Sequence, residues 1–381
     1  MSASIKKTTE ENGEEAPQFV GLFAGREVSG LSLARPSWLP SYVPELDGLR
    51  GLAVLSVVIY HCHPRLVGTW IHYASLWGWA GVNLFFVLSG FLITSILLES
   101  SAKPQYFRNF YGRRVLRIWP VYVLLLAVCY WQSPWLIGPQ PWEAIKAAPW
   151  LAYIFFLQNL LHNPMPPAIG PTWSLAIEEQ YYFLWAPLVR YTKRARWLLF
   201  VLLGAALVGS PLMRHLHYKW LTPTHTFIHL DGIALGSLVA LALYRFNWSR
   251  KLWLVLGGCF FVLGIAAAAT IAGGTSMLDT ALAAAFAGAL AMTLASSGTS
   301  SPLHAILRRG PLSFYGRISY GLYMSHIMVF VFFGWFDLKM DPYGTAGNLA
   351  VVGFRLLTST LVATAMWYGF ESRILKLKRY F

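Results

Sequence analysis

Arg50 and His61 stand eleven residues apart in "LDGLRGLAVLSVVIYHCH", residues 46–63. On a helix that spacing returns to within about 20° of the same face and separates the two groups by roughly 16 Å. A guanidinium offers a planar fork of donors that suits phosphate oxygens, and an imidazole takes and gives protons near neutral pH. Joined by an almost wholly apolar stripe, they are expensive groups to hold in a membrane, where ionisable side chains mark function by default. A plainer reading has Arg50 snorkelling to the surface and His61 bonding a neighbouring helix. Asp47 lies one turn before Arg50 and can orient it.

Other segments raise the same question. Glu178 and Glu179 sit in "PTWSLAIEEQYYFLW" beside Trp173. Adjacent helical residues point about 100° apart, so at least one of these carboxylates faces the protein interior. The alternative is a cap or an interfacial ion pair with an arginine. Asp231 follows His229 by two residues in "FIHLDGIALGSLVA", and Arg108, Arg113, Arg114 and Arg117 crowd "RNFYGRRVLRIWP". That arginine cluster serves either topology and anionic lipid or a phosphate clamp, and charge alone leaves both open. "FFVLSGFLIT" places Ser89-Gly90 in mid-span. No G-x-S-x-G elbow marks the serine as a nucleophile, so it reads as packing. Tyr323 and His326 share one helix face in "SYGLYMSHIMVF", as polar glue or as a substrate contact.

The elements that carry these groups must be membrane helices. Of 381 residues 56% are hydrophobic and 12% are charged, about half the charge of an ordinary soluble chain. Mean hydropathy is +0.50. Apolar runs fall near 46–63, 77–98, 118–133, 145–162, 173–191, 197–213, 225–244, 252–272, 277–297, 319–337 and 348–369. The Lys/Arg-rich stretches lie between them: the segment to Arg50, a loop at 103–117, 190–196, 245–251, 308–317 and the closing "SRILKLKRY". The net charge of +14 therefore reads as the positive-inside pattern rather than as a nucleic-acid footprint. Parity fails only between Arg117 and Arg190, where three candidates occur. One of 118–133, 145–162 and 173–191 is expected not to cross, most naturally 145–162 or the glutamate-bearing 173–191. The expectation is an all-α, polytopic helical bundle of about ten crossings with both termini cytoplasmic.

Residues 1–43 read as a disordered tail and linker; "KKTTEENGEE" has no apolar region of a signal peptide. Residues 44–370 form the membrane domain and 371–381 a short basic tail. Cys62, Cys129 and Cys259 each lie in an apolar run and suggest neither a disulfide framework nor a metal site. No internal repeat stands out, which weighs against common transporter folds.

Taken in order, these segments resemble the acyltransferase-3 family of integral membrane acyltransferases. "DGLRGLAVLSVVIYH" resembles its opening signature, with ten residues between Arg and His. "FFVLSGFLIT", the arginine-rich "FYGRRVLRIWPVY", the W-S-L-x-x-E pattern of "PTWSLAIEEQYYFLW" and the Tyr-to-His "SYGLYMSHIMVF" follow in sequence. The likeness runs from about Pro44 to Phe370. It departs at His229, where the family often has an arginine two residues before the aspartate. It departs again at "ESR" from Glu371, where a closing Glu-x-Pro is usual. Some members carry a further esterase-like domain after the helices, which a chain ending at Phe381 is expected to lack.

The resemblance implies transfer of an acyl group, usually acetyl, from acyl-coenzyme A to a hydroxyl, in a bacterial cytoplasmic membrane and without a metal. On that reading His61 is the general base and Glu178 orients the imidazole or positions the acceptor. Arg50, Arg113, Arg114 and Arg117 hold the donor's phosphates. Asp47, Ser89, Trp173, Asp231, Tyr323 and His326 are orienting or substrate residues. An exopolysaccharide or O-antigen sugar is the first expectation for the acceptor, free or lipid-linked, with envelope-glycan assembly proteins as partners. A small molecule such as a macrolide is second. Rival readings are a proton-coupled exporter of envelope glycan, using the buried acids and histidines as relays, and a non-catalytic scaffold.

Overall fold

The computed structural model describes residues 35–131, 149–162, 165–217, 221–271, 276–299, 301–334 and 344–381. The expected tail lies outside these residues up to Ala34. Every regular element among the described residues is helical. In chain order the helices are α1 (Glu45–His61), α2 (Trp70–Ser75), α3 (Gly81–Ser100), α4 (Tyr106–Trp131), α5 (Trp150–Ile154), α6 (Thr172–Tyr191) and α7 (Trp197–His217). They continue with α8 (Leu230–Arg245), α9 (Arg250–Ile271), α10 (Leu278–Ser296), α11 (Pro302–Leu307), α12 (Gly310–Phe332), α13 (Thr345–Met366) and α14 (Ser372–Leu375). A π-helical turn, Trp367–Glu371, joins the last two.

Among the described residues, six helical stretches are long and apolar enough to cross a membrane: those containing α3, α4, α7, α9, α10 and α13. The other long helices, α1, α6, α8 and α12, are either short of that length or diluted by polar groups. These four carry eight of the twelve candidate residues; Ser89 lies on α3, and Arg113, Arg114 and Arg117 lie on α4.

One sequence expectation changes and another narrows. Arginines 108 to 117 do not form a loop: α4 begins at Tyr106 and carries them on its first turns. Arginine is a strong helix former, and hydropathy alone cannot distinguish a charged helical extension from a loop. Of the three candidates between Arg117 and Arg190, the described part of 145–162 holds only α5 and a 3₁₀ turn at Gln158–Leu160. Five residues rise about 8 Å, far short of a bilayer. Segment 173–191, by contrast, lies in a continuous 20-residue helix despite Glu178 and Glu179.

Close helix contacts set the architecture. The α1–α12 crossing is made by glycines. A Cβ on Gly51 would strike the carbonyl of Leu312, and one on Gly316 would strike the carbonyl of Asp47. Gly90 of α3 and Gly236 of α8 approach each other's backbones in the same way. Without a hydrophobic drive between helices in lipid, such backbone proximity supplies the packing.

Gly51→Ala or Gly316→Ala should therefore destabilise the bundle by about 1–3 kcal/mol. Gly353→Ala in α13, where an added Cβ meets nothing within 4 Å, should be neutral. Thermal unfolding of the purified protein in detergent checks the contrast.

Candidate active site

The α1–α12 contact brings His61 to His326. His326 is fully buried. Its Nδ1 faces the carbonyl oxygens of Tyr323 at 2.7 Å and Leu322 at 3.2 Å. Carbonyls only accept, so this nitrogen carries the proton and Nε2 carries a lone pair. Nε2 lies 3.2 Å from Nδ1 of His61, which is also 2.9 Å from the Val57 carbonyl. His61 Nδ1 is consequently the protonated nitrogen, shared between two acceptors. What remains on His61 is an unprotonated Nε2, a base whose tautomer the second imidazole fixes.

Beside this pair, the Tyr323 hydroxyl meets Ser174 Oγ at 2.6 Å, joining α12 to the start of α6. Trp173 packs its ring against His229 and Phe86, with centroids 5.0 and 6.1 Å away. One turn and more along α6, the Tyr182 hydroxyl donates to Glu178 Oε2 at 2.7 Å. Because that proton is committed, Ser89 donates its own to the Tyr182 oxygen. Ser89 thus belongs to a polar chain rather than to packing alone. Glu178 makes no contact with His61 among the described residues; the position beside His61 Nδ1 is taken by His326. The carboxylate instead lies in the field of Arg114, Arg50 and Arg117.

Toward the end of the bundle that bears the basic stretches, the arginines converge. Arg50 donates to Ser319 Oγ of α12 at 3.0 Å and stands 3.8 Å from Asp47. Asp47 in turn accepts from the Tyr42 hydroxyl at 2.6 Å. Burial, then the Asp47 carboxylate, raises the ionisation range of that phenol. Arg117 is within electrostatic reach of Arg50. Arg114 stacks over Tyr182, 5.8 Å from its centroid, within reach of Arg117, Glu179 and Glu178. Arg113 donates from Nε to the carbonyl oxygen of Phe381 at 2.8 Å. The expected grouping of Arg50 with Arg113, Arg114 and Arg117 is present in space. Two neighbours escaped the sequence reading: Glu371, buried near Arg117 and Arg50, and Lys378, facing Arg117, Arg114, Arg113 and Arg50.

A family profile described as an acyltransferase domain matches residues 43–368. The chain belongs to the acyltransferase-3 family. It is 33% identical over 224 residues to the peptidoglycan O-acetyltransferase OatA of Listeria monocytogenes, covering 54% of this chain and 34% of that protein. It is 27% identical over 371 residues to O-acetyltransferase OatA of Staphylococcus aureus, covering 88% of this chain and 58% of the relative. The chain thus spans between a third and three-fifths of the length of these relatives. No solved structure matches it.

The structure explains one departure from the acyltransferase-3 pattern. Asp231 is buried at the start of α8, and the residue two before it, His229, turns its Nε2 to the Pro223 carbonyl at 2.9 Å. The guanidinium comes from Arg214 of α7, whose Nη2 lies 2.7 Å from Asp231 Oδ2. Arg214 also donates to Thr280 Oγ1 and the Ser276 carbonyl, each at 2.7 Å. Asp279 flanks it at 3.8 Å and accepts from Asn83 at 3.2 Å. Asp231 is therefore the centre of a buried clamp joining α7, α8 and α10, apart from the His61 pair. No group of three metal-ligating side chains forms among the described residues.

Removing one partner of a buried, hydrogen-bonded ion pair leaves an unmatched charge and costs about 3–5 kcal/mol. Arg214→Ala should lose that much stability in a thermal melt. Arg214→Ala combined with Asp231→Ala should recover part of the loss, since the second change removes the orphaned carboxylate.

Proposed function

We propose that this chain is a membrane O-acyltransferase that moves an acetyl or other acyl group from acyl-coenzyme A to a hydroxyl of a cell-envelope glycan. The observation that carries the reading is the tautomer of His61. With Nδ1–H held by His326 and Val57, Nε2 is the free basic atom at the end of α1. Family membership and O-acetyltransferase relatives agree with it.

The donor fits the chain's own groups. Arg50, Arg114 and Arg117 form a cationic cluster suited to phosphate oxygens. His61 lies roughly 16 Å along the same helix face, so an extended pantetheine arm can connect the two. An acyl thioester supplies the activated carbonyl. His61 Nε2 takes the proton of the acceptor hydroxyl as its oxygen bonds to that carbonyl. The carbon–sulfur bond breaks, and the imidazolium returns the proton to the departing thiolate. His326 keeps the accepting nitrogen free and its ring oriented. Tyr323 and Ser174 line the approach. The Glu178–Tyr182–Ser89 chain holds α3 and α6 together beneath it and places a carboxylate among the arginines.

Ten helices of sixteen residues or more among the described residues are available for about ten crossings, and the proposed orientation puts the basic stretches and both termini on the cytoplasmic side of a bacterial membrane. The arginine cluster then meets the cytosol, where acyl-coenzyme A is made, and His61 lies toward the opposite face. A sugar hydroxyl of peptidoglycan or another surface glycan fits that placement, with glycan-assembly proteins as partners.

With labelled acetyl-coenzyme A and the purified protein, His61→Ala should lower transfer by 10²-fold or more, with insertion and melting unchanged. His326→Ala should lower it as well, through loss of the fixed tautomer. Full activity in His61→Ala would remove the imidazole from the mechanism.

A further inference from the structure

The segment after α13 does not trail away from the bundle. Glu371 closes the π-helical turn with 4% of its surface exposed, and its Oε2 has no hydrogen-bond partner among the described residues. From there α14 and a 3₁₀ turn, Lys376–Tyr380, run along the arginine face of α4. Phe381 fastens the far end. Its carbonyl accepts from Arg113, and the guanidinium of Arg108 stands 5.6 Å from its ring centroid. The ring also occupies the space that a Cβ on Gly112 would need. The absence of a side chain at 112 is what lets the strap lie down.

That path carries Lys378 into the arginine cluster. Its ammonium has no hydrogen-bond partner among the described residues. The charges nearest it are Arg117, Arg114, Arg113 and Arg50, with Glu371 the acid within reach. Cations here outnumber carboxylates five to four: Arg50, Arg113, Arg114, Arg117 and Lys378 against Asp47, Glu178, Glu179 and Glu371. Bringing Lys378 beside four arginines with one acid in its own reach is unfavourable unless an anion completes the site. Side chains held against their own stability are a mark of binding function.

We propose that the strap 372–381 forms a wall of the donor site and that Lys378 binds a phosphate of the donor's nucleotide head. The inference rests on the acyl-coenzyme A reading above and extends it to a segment outside the matched residues 43–368. The ligand chemistry is polyphosphate, which an anionic lipid headgroup shares only in part, since it offers one phosphate rather than three. Glu371, within electrostatic reach of Arg117, Arg50 and Lys378, compensates one charge of the cluster.

The test measures binding of labelled coenzyme A to the full chain in nanodiscs of neutral lipid, with a thermal melt of every variant. Lys378→Ala should weaken binding at least tenfold while the melting temperature stays level or rises, because a repelled cation is gone. Lys378→Arg should stay within threefold of the parent. Gly112→Val, which unseats Phe381, should weaken binding with Lys378 still in the chain. Coenzyme A bound equally by the parent and by Lys378→Ala would overturn this proposal and leave the donor reading standing. Binding of coenzyme A by no form would overturn both. A melting shift that depends on Lys378 but answers only to added phosphatidylglycerol would assign the cluster to a lipid headgroup, against both.

Discussion

Backbone contact between α1 and α12 is the constraint on which the site depends. Gly51 and Gly316 allow two helices to touch main chain to main chain. Two polar pairings follow along that seam. Arg50 reaches Ser319 near one end and His61 reaches His326 near the other. Between them Tyr323 is turned toward Ser174. A separation larger by one methyl group would lengthen both contacts between α1 and α12. The imidazole pair would suffer most, because 3.2 Å leaves little margin for a nitrogen-to-nitrogen hydrogen bond.

A bilayer makes such groups costly to bury, and the chain answers by giving nearly every one a partner. Asp231 has Arg214 and Thr280, Glu45 has His304 and Arg308, and Glu178 has Tyr182. Two kinds of residue depart from that rule. Among the described residues, His61 Nε2 at the end of α1 and the Lys378 ammonium have no hydrogen-bond partner, the latter beside four arginines. A neutral imidazole and an unbalanced cationic mouth are what a proton acceptor and a polyanion site respectively require. They lie at opposite ends of one helix, which ties the two halves of the proposed reaction to a single rigid element.

Much of this was legible in the sequence because helical periodicity is local. The spacing of Arg50 and His61 forecast one face and a long rise, and the α1 helix supplies both. The grouping of Arg50 with Arg113, Arg114 and Arg117 was also readable, though as a loop rather than as the first turns of α4. What escaped depends on which helices become neighbours. His326 could be read as glue or as a substrate contact, but not as the residue that fixes the His61 tautomer. Glu178 looked suited to that role and instead faces the arginines. The guanidinium expected two residues before Asp231 arrives from Arg214, seventeen residues earlier, through the packing of α7 on α8. Lys378 had no signal beyond the basic run "SRILKLKRY", since only the seating of Phe381 on Gly112 brings it inward.

The most direct measurement of the central claim is a cryo-electron microscopy map of the full chain with a non-transferable acyl-coenzyme A. The account predicts phosphates against Arg50, Arg114, Arg117 and Lys378, with the pantetheine arm along α1 and the sulfur beside Nε2 of His61. A nucleotide seated away from Arg114, Arg117 and Lys378, with the His61 end of α1 empty, would contradict it.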